Sequence, residues 1–143
     1  MSNPNFGVEF HFTDADGEEF EILEVLSVTP SNPSRPTYQD SHHKTEGAHT
    51  YKGEALLEPG TLTVRVNYLS GSAHDTKLLA MLNVLDPKPY RSVHNGAAGT
   101  KRQVAGQAIL TGYQPQDMPL TGKQEAVLNF QASGIAAHAA KAA

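Results

Sequence analysis

TLTVRVNYL, residues 61–69, alternates without a break: Leu62, Val64, Val66 and Tyr68 fall on one side, Thr61, Thr63, Arg65 and Asn67 on the other. A period of two is that of a strand with one face in a core and one in water. Downstream, Ser72 stands as an N-cap with Asp75 three residues on, a start that satisfies the orphan amides and suits the helix dipole. Leu78, Leu82 and Leu85, flanked by Leu79 and Met81, then recur at helical spacing, and Asp86-Pro87 stops the run. The expectation is a helix whose leucine stripe lies on a sheet. Beyond it, YRSVH (90–94), KRQVAGQAILTGY (101–113) and KQEAVLNFQAS (123–133) read as strands, with Gly106 and Gly112 marking bulges.

Upstream, VEFHFT (8–13) alternates with Val8, Phe10 and Phe12 inward. Asp14-Ala15-Asp16-Gly17 supplies a hairpin turn, and EFEILEVLSV (19–28) returns as a strand whose mixed phase calls for a bulge or burial on both faces. Between Thr29 and Gly47, TPSNPSRPTYQDSHHKTEG holds three prolines and no period. A stretch of that length and composition inside a compact domain is functional or orders on binding. These elements predict a mainly β chain: a two-sheet β-sandwich or flattened barrel with one flanking α-helix. One domain spans 1–134 with a long mobile loop at 29–50, and an Ala-rich tail at 135–143 frays.

The 143 residues suit a single domain, and 38% apolar content with 12 glycines suits a globular core. A formal net charge of −4 argues against a generic nucleic-acid binder, which needs excess Lys and Arg to displace counterions. The absence of cysteine removes disulfides and thiolate chemistry. No apolar run is long enough for a spanning helix, and the start lacks a signal-peptide pattern, so a soluble chain without membrane contact is expected. Residues 1–60 hold eleven of the acidic groups against Arg35, Lys44 and Lys52, whereas residues 61–143 hold four acids and eight bases. That asymmetry has two readings, solvated faces or a head-to-tail self-contact.

Catalytic constellations are weak. His42, His43 and His49 cluster in sequence, but neighbouring histidines on an extended chain point to opposite sides and no zinc-binding frame surrounds them. Ser41-His42 lacks a nucleophile elbow, and NGAAGTK (95–101) joins two strands rather than a strand and a helix, unlike a phosphate loop. No catalytic residue, cofactor or metal site is therefore expected. A small ligand-binding β-module and a histidine-based metal enzyme remain as competing classes.

The ordered set of motifs resembles the major tail tube proteins of long, non-contractile-tailed bacteriophages. It comprises SVTPS (27–31) entering the polar loop, GTLTVRVNY (60–68), AHDTKLLAML (73–82), the Asn95-Gly96 turn, VAGQAILTGY (104–113) and AVLNFQASG (126–134). Each is degenerate, and the likeness rests on their order across nearly the whole chain; the Ala-rich end matches none of them. The resemblance implies a β-sandwich-like tube fold, related to tubes of contractile tails and type VI secretion. It also implies a structural, non-enzymatic virion protein made in the bacterial host. Hexameric rings would stack through the long loop, with the tape measure, tail terminator and tail-tip proteins as further partners. Double-stranded DNA would pass through the bore without specific binding.

On that reading Tyr38, His42, His43, His49 and Tyr51 form the interface between rings or subunits, since aromatic and imidazole groups on a mobile polar stretch suit a contact that forms late. Glu54, Gln103, Gln107, Glu125, Asn129 and Gln131 line the lumen, where acidic and neutral polar groups keep phosphate from sticking.

Overall fold

The computed structural model describes residues 7–44, 46–96, 100–118 and 120–140. Seven strands form one antiparallel sheet in the order β2-β1-β7-β8-β9-β6-β3. They are β1 (Glu9–Thr13), β2 (Glu19–Glu21), β3 (Val25–Thr29), β6 (Thr61–Asn67), β7 (Lys88–Asn95), β8 (Lys101–Pro115) and β9 (Glu125–Ala140). A second, two-stranded sheet pairs β4 (Thr37–Gln39) with β5 (Tyr51–Gly53), and the helix α1 covers Ala73–Met81.

The two outermost strands of the large sheet, β2 and β3, are consecutive in the chain, so the sheet curls until its ends meet. The corner between them carries the join. Ile22 N–H donates to the Phe10 carbonyl at 2.8 Å, while Asn67 N–H donates to the Glu24 carbonyl at 3.2 Å. Glu24 takes a left-handed φ of 53°, the one such non-glycine conformation among the described residues. The mixed phase of residues 19–28 comes from a corner together with the expected bulge: one segment pairs first with β1, then with β6, and the β3–β6 register shifts between Val25 and Ser27.

The inward positions are those of the alternating pattern. Phe10, Phe12, Leu62, Val64, Val66, Leu128 and Phe130 are buried. Phe130 centres the core, its ring 5.3 Å from Phe10 and 5.0 Å from Phe12. The β1–β2 turn closes as expected on Gly17 at φ +87°, and Asp14 Oδ1 accepts from Asp16 N–H and Glu18 N–H. Both bulge glycines sit at register shifts of the β8–β9 ladder.

Two expectations change. The leucine stripe of α1 is buried only at its start: Leu78 and the flanking Met81 enter the core, whereas Leu82 is the C-cap and Leu85 is 85% exposed. The helix ends a turn early, so residues 82–87 form a link to β7, from which Val84 packs against the core. The Ala-rich segment expected to fray from 135 instead continues β9 to Ala140, pairing with Arg102–Ala105. Gly134 at φ +76° absorbs the extra residues of that bulge, and small alanines let β9 resume against β8.

Antiparallel order gives the barrel two unlike ends. The β1–β2 turn, the α1 segment and the β8–β9 connection lie at one; the link from β3 to β6 and the β7–β8 turn lie at the other. Helix α1 plugs the first. Its Ser72 cap receives Asp75 N–H at 3.0 Å, and Lys77 sits 4.7 Å above the Phe20 ring.

Candidate assembly surfaces

From the open end rises an arm built by residues 34–58. Ser34 and Glu58 exchange backbone hydrogen bonds of 2.9 and 2.7 Å at its base, and Glu54 N–H donates to the Pro36 carbonyl at 2.7 Å. Arg35 Nη1 donates to the Glu54 carbonyl, straddling the hairpin. Above these, β4 and β5 pair as Thr37↔Gly53, Tyr38↔Lys52 and Gln39↔Tyr51. Asp40 N–H donates to the Thr50 carbonyl at 2.7 Å, and Thr50 N–H to Ser41 Oγ at 2.8 Å. The stretch expected to lack structure is therefore a hairpin whose polar side chains bond its own backbone. No described residue between Ser34 and Glu58 is buried. A two-stranded ribbon with no core of its own is marginal in water, so the arm requires a surface to lie on.

The five residues expected at an interface all fall on this arm, but they do not converge. Tyr38 and Tyr51, 45% and 63% exposed, stand in neighbouring pairs of the ladder and so point to opposite faces. His49 Nδ1 lies 2.6 Å from Gln39 Nε2 and 3.2 Å from Ser41 Oγ, and His42 Nδ1 accepts from Lys44 N–H at 3.2 Å. These bonds shape the tip; His43 is exposed there. The titratable trio that does gather among the described residues is Glu9, His11 and Glu21 on β1 and β2, beside Arg91. Arg91 holds Glu19 through Nε at 3.1 and 3.2 Å and Nη2 at 2.8 Å. The guanidinium hydrogen bond keeps the Glu19 carboxyl below its usual range.

A second surface is the outward face of β8, β9 and β6. Five of the six residues expected to line a bore meet here. Gln103 and Gln107 share the outward parity of β8, and Glu125, Asn129 and Gln131 that of β9, alternating with buried Ala126, Leu128 and Phe130. Glu54 lies outside these strands, on the arm, where its N–H donates to the Pro36 carbonyl. The face is also broader than expected. Register sets Thr61 beside Gln131, Thr63 beside Asn129 and Asn67 beside Glu125. Those outward residues of β6 were visible in the alternation, but only the pairing of β6 with β9 assigns them to the same surface.

The electrostatics of that face differ from expectation as well. Its acid, Glu125, accepts from Arg65 Nε at 2.7 Å across the β6–β9 pair, so the face is neutral and polar rather than acidic. Gln131 Nε2 donates to the Gly60 carbonyl at 3.0 Å, and Thr111 Oγ1 to the Asn129 carbonyl at 3.1 Å. On this part of the face the Arg65–Glu125 pair adds no net charge.

The third feature is an opening of about 810 Å³ at the arm end, walled by Val25, Val28, Leu62, Tyr90 and Val104 and edged by His94 and His138. Burial raises the Tyr90 hydroxyl above its ordinary pKa, and the cavity wall is mainly apolar.

No protein-family model matches the sequence, and no curated protein matches it. The architecture, however, is similar to solved structures across nearly the whole chain. A chain of the six-fold symmetrised baseplate of the anti-feeding prophage aligns with a TM-score of 0.72 at 11% identity, covering 96% of this chain and 97% of that one. A chain of the sheath/tube terminator of the extracellular contractile injection system PVC gives 0.71 at 13%, covering 96% of each. The SPP1 tail tube gives 0.68 at 14%, covering 96% of this chain and 80% of that one. Antiparallel strands in this order, one helix and one projecting hairpin thus make up the tail-tube fold.

Proposed function

We propose that this chain is a non-enzymatic structural subunit that assembles with copies of itself into stacked hexameric rings, forming the hollow tube of a phage-type tail. The arm carries the argument. A hairpin with no buried side chain among its described residues, rooted by paired hydrogen bonds at Ser34 and Glu58, needs a neighbouring copy to cover it. Six-fold symmetry is supported by the symmetrised baseplate that the fold resembles. The neutral face of β8, β9 and β6 suits a bore through which double-stranded DNA passes without adhering. Tape measure, terminator and tail-tip proteins would meet the ends of such a tube, and the virion tail would be its location.

A tube within a contractile injection apparatus is the second reading, favoured by the likeness to the anti-feeding prophage and PVC chains. Recovery of a sheath protein with the native tube distinguishes it from a bare, non-contractile tail.

The test is direct. Protein concentrated towards the millimolar range forms tubes visible by negative-stain microscopy. A variant with residues 36–53 replaced by a short Gly-Ser link keeps the circular dichroism of the barrel but forms no tubes. Wild-type protein that stays monomeric at every concentration, or an arm-deleted variant that still forms tubes, defeats the reading.

A further inference from the structure

Strands β1, β2 and β7 take no part in the arm or in the face of β8, β9 and β6, yet their outward side gathers an imidazole and several carboxylates. Alternation places them there. Phe10 and Phe12 of β1 and Phe20 of β2 pack inward, so Glu9, His11, Glu19 and Glu21 stand on the opposite side. Register sets His11 directly across from Glu21 in one neighbour and from Arg91 in the other. Glu9 is two residues from His11 along the same strand. One ligand atom from each of Glu9, His11 and Glu21 lies within 4.8 Å of the other two.

Two observations separate this trio from an ordinary solvated patch. The first is burial of the imidazole. The His11 side chain is 13% exposed, and its Nε2 is buried with no hydrogen-bond partner among the described residues. Glu9 Oε1 stands 3.7 Å from that nitrogen, beyond hydrogen-bond reach. A buried polar atom without a partner is costly, and an ion or an ordered water is the usual remedy. The second is charge. The Glu19 hydrogen bond, with the charges of Glu19, Glu9 and Glu21, holds Arg91 above its usual pKa, so three carboxylates share one guanidinium. Arg91 is bonded to Glu19, which leaves the charges of Glu9 and Glu21 beside the imidazole. Lys101, further along this side of the sheet, donates to Asn95 Oδ1 at 2.7 Å.

We propose that Glu9, His11 and Glu21 bind one divalent transition-metal ion of the zinc class, with His11 Nε2 as its nitrogen ligand. The inference does not depend on the assembly reading. One imidazole with two carboxylates is a zinc donor set, and three protein ligands leave the fourth position to water. Bonds of about 2.0–2.2 Å in a tetrahedron bring ligand atoms to about 3.3–3.6 Å from one another. The 3.7 Å between His11 Nε2 and Glu9 Oε1 is close to that spacing. Glu19 Oε1 lies 3.7 Å from Nδ1, the other ring nitrogen, on the side from which a carboxylate supports a metal-bound imidazole. Two negative charges against a divalent cation balance. The ion would also have a structural consequence: β2 is three residues long and ends the sheet order, and a metal shared by Glu21 and His11 clamps it to β1 beside the corner at Glu24.

The experiment titrates Zn²⁺ into the full chain, first stripped with EDTA, and follows binding by calorimetry and Tm by circular dichroism. The expected result is one ion per chain and, at about a hundred-fold excess over Kd, a Tm rise of about 5 °C or more. His11→Ala and Glu21→Gln each weaken binding by about ten-fold or more and lose the Tm rise. Glu21 is exposed, so Glu21→Gln keeps the fold and decides the matter even where His11→Ala does not fold. A third variant replaces His42, His43 and His49 of the arm with alanine and is expected to bind as wild type does. Absence of stoichiometric binding overturns the site. Undiminished binding by Glu21→Gln or by folded His11→Ala overturns it as well. Loss of binding in the arm variant assigns the ion to the arm histidines and overturns it too. None of these results bears on tube formation, which is measured separately.

Discussion

The Tyr113 hydroxyl on β8 donates to Asp75 Oδ1 at 2.7 Å, while the other carboxylate oxygen of Asp75 accepts from Gly71 N–H at 3.1 Å. One buried carboxylate therefore caps the turn that starts α1 and ties the helix to the sheet. Desolvation, reinforced by the Asp75 hydrogen bond and its charge, raises the Tyr113 hydroxyl well above its ordinary pKa of 10.0.

Removing that hydroxyl should loosen the plug. Tyr113→Phe is expected to lower stability by about 1.5–3 kcal/mol, the scale for a hydrogen bond to a charged group. The pH dependence carries a sign. Because the folded pKa is raised, the contribution is complete below the unfolded value of 10.0 and is lost as pH climbs towards the folded one. Urea unfolding at pH 8 to 11 should show wild type losing its advantage over Tyr113→Phe above pH 10, and a constant gap would contradict the assignment.

Phe130 is fully buried between Phe10 and Phe12 at the middle of β9. Phe130→Ala leaves a cavity that the surrounding strands cannot collapse into, with an expected loss of about 3–5 kcal/mol. Denaturant titration measures it; a loss below 1 kcal/mol would mean the inward phase of β9 is wrong.

Gly60 roots the arm. Its φ is +83°, and a Cβ there would stand 2.8 Å from the Asn32 carbonyl oxygen and 3.1 Å from Asn32 N. Gly60→Ala is strained by its backbone and blocked by the crossing chain, at a cost of about 1–3 kcal/mol. The effect is local, so hydrogen exchange should quicken at Ser34 and Glu58 while the β6–β9 amides keep their protection.

How much was legible follows from what each element depends on. Strands β1 and β6, the Asp-Gly turn, the Ser72 cap and both bulge glycines were readable because one-sided burial leaves a period of two and tight turns demand particular residues. The outward polar residues of β8 and β9 were readable for the same reason. Their neutrality was not, since it depends on Arg65 meeting Glu125 across sixty residues of chain. The leucine stripe misled because Leu78 and Leu82 share helical spacing, but the chain turns away at Leu82. The alanine-rich end misled because small residues signal no period, yet they are what lets β9 resume pairing beyond Gly134.

The sequence by itself determined strands β1 and β6, the start of α1 and which side of those strands is apolar. Tertiary structure alone decided that the segment from Glu19 to Thr29 serves both ends of one curled sheet and that the proline-rich stretch stands up as a hairpin. The reason is physical: side-chain period is a local property set by burial on one face, whereas register, closure and charge placement depend on which distant strands come to lie side by side.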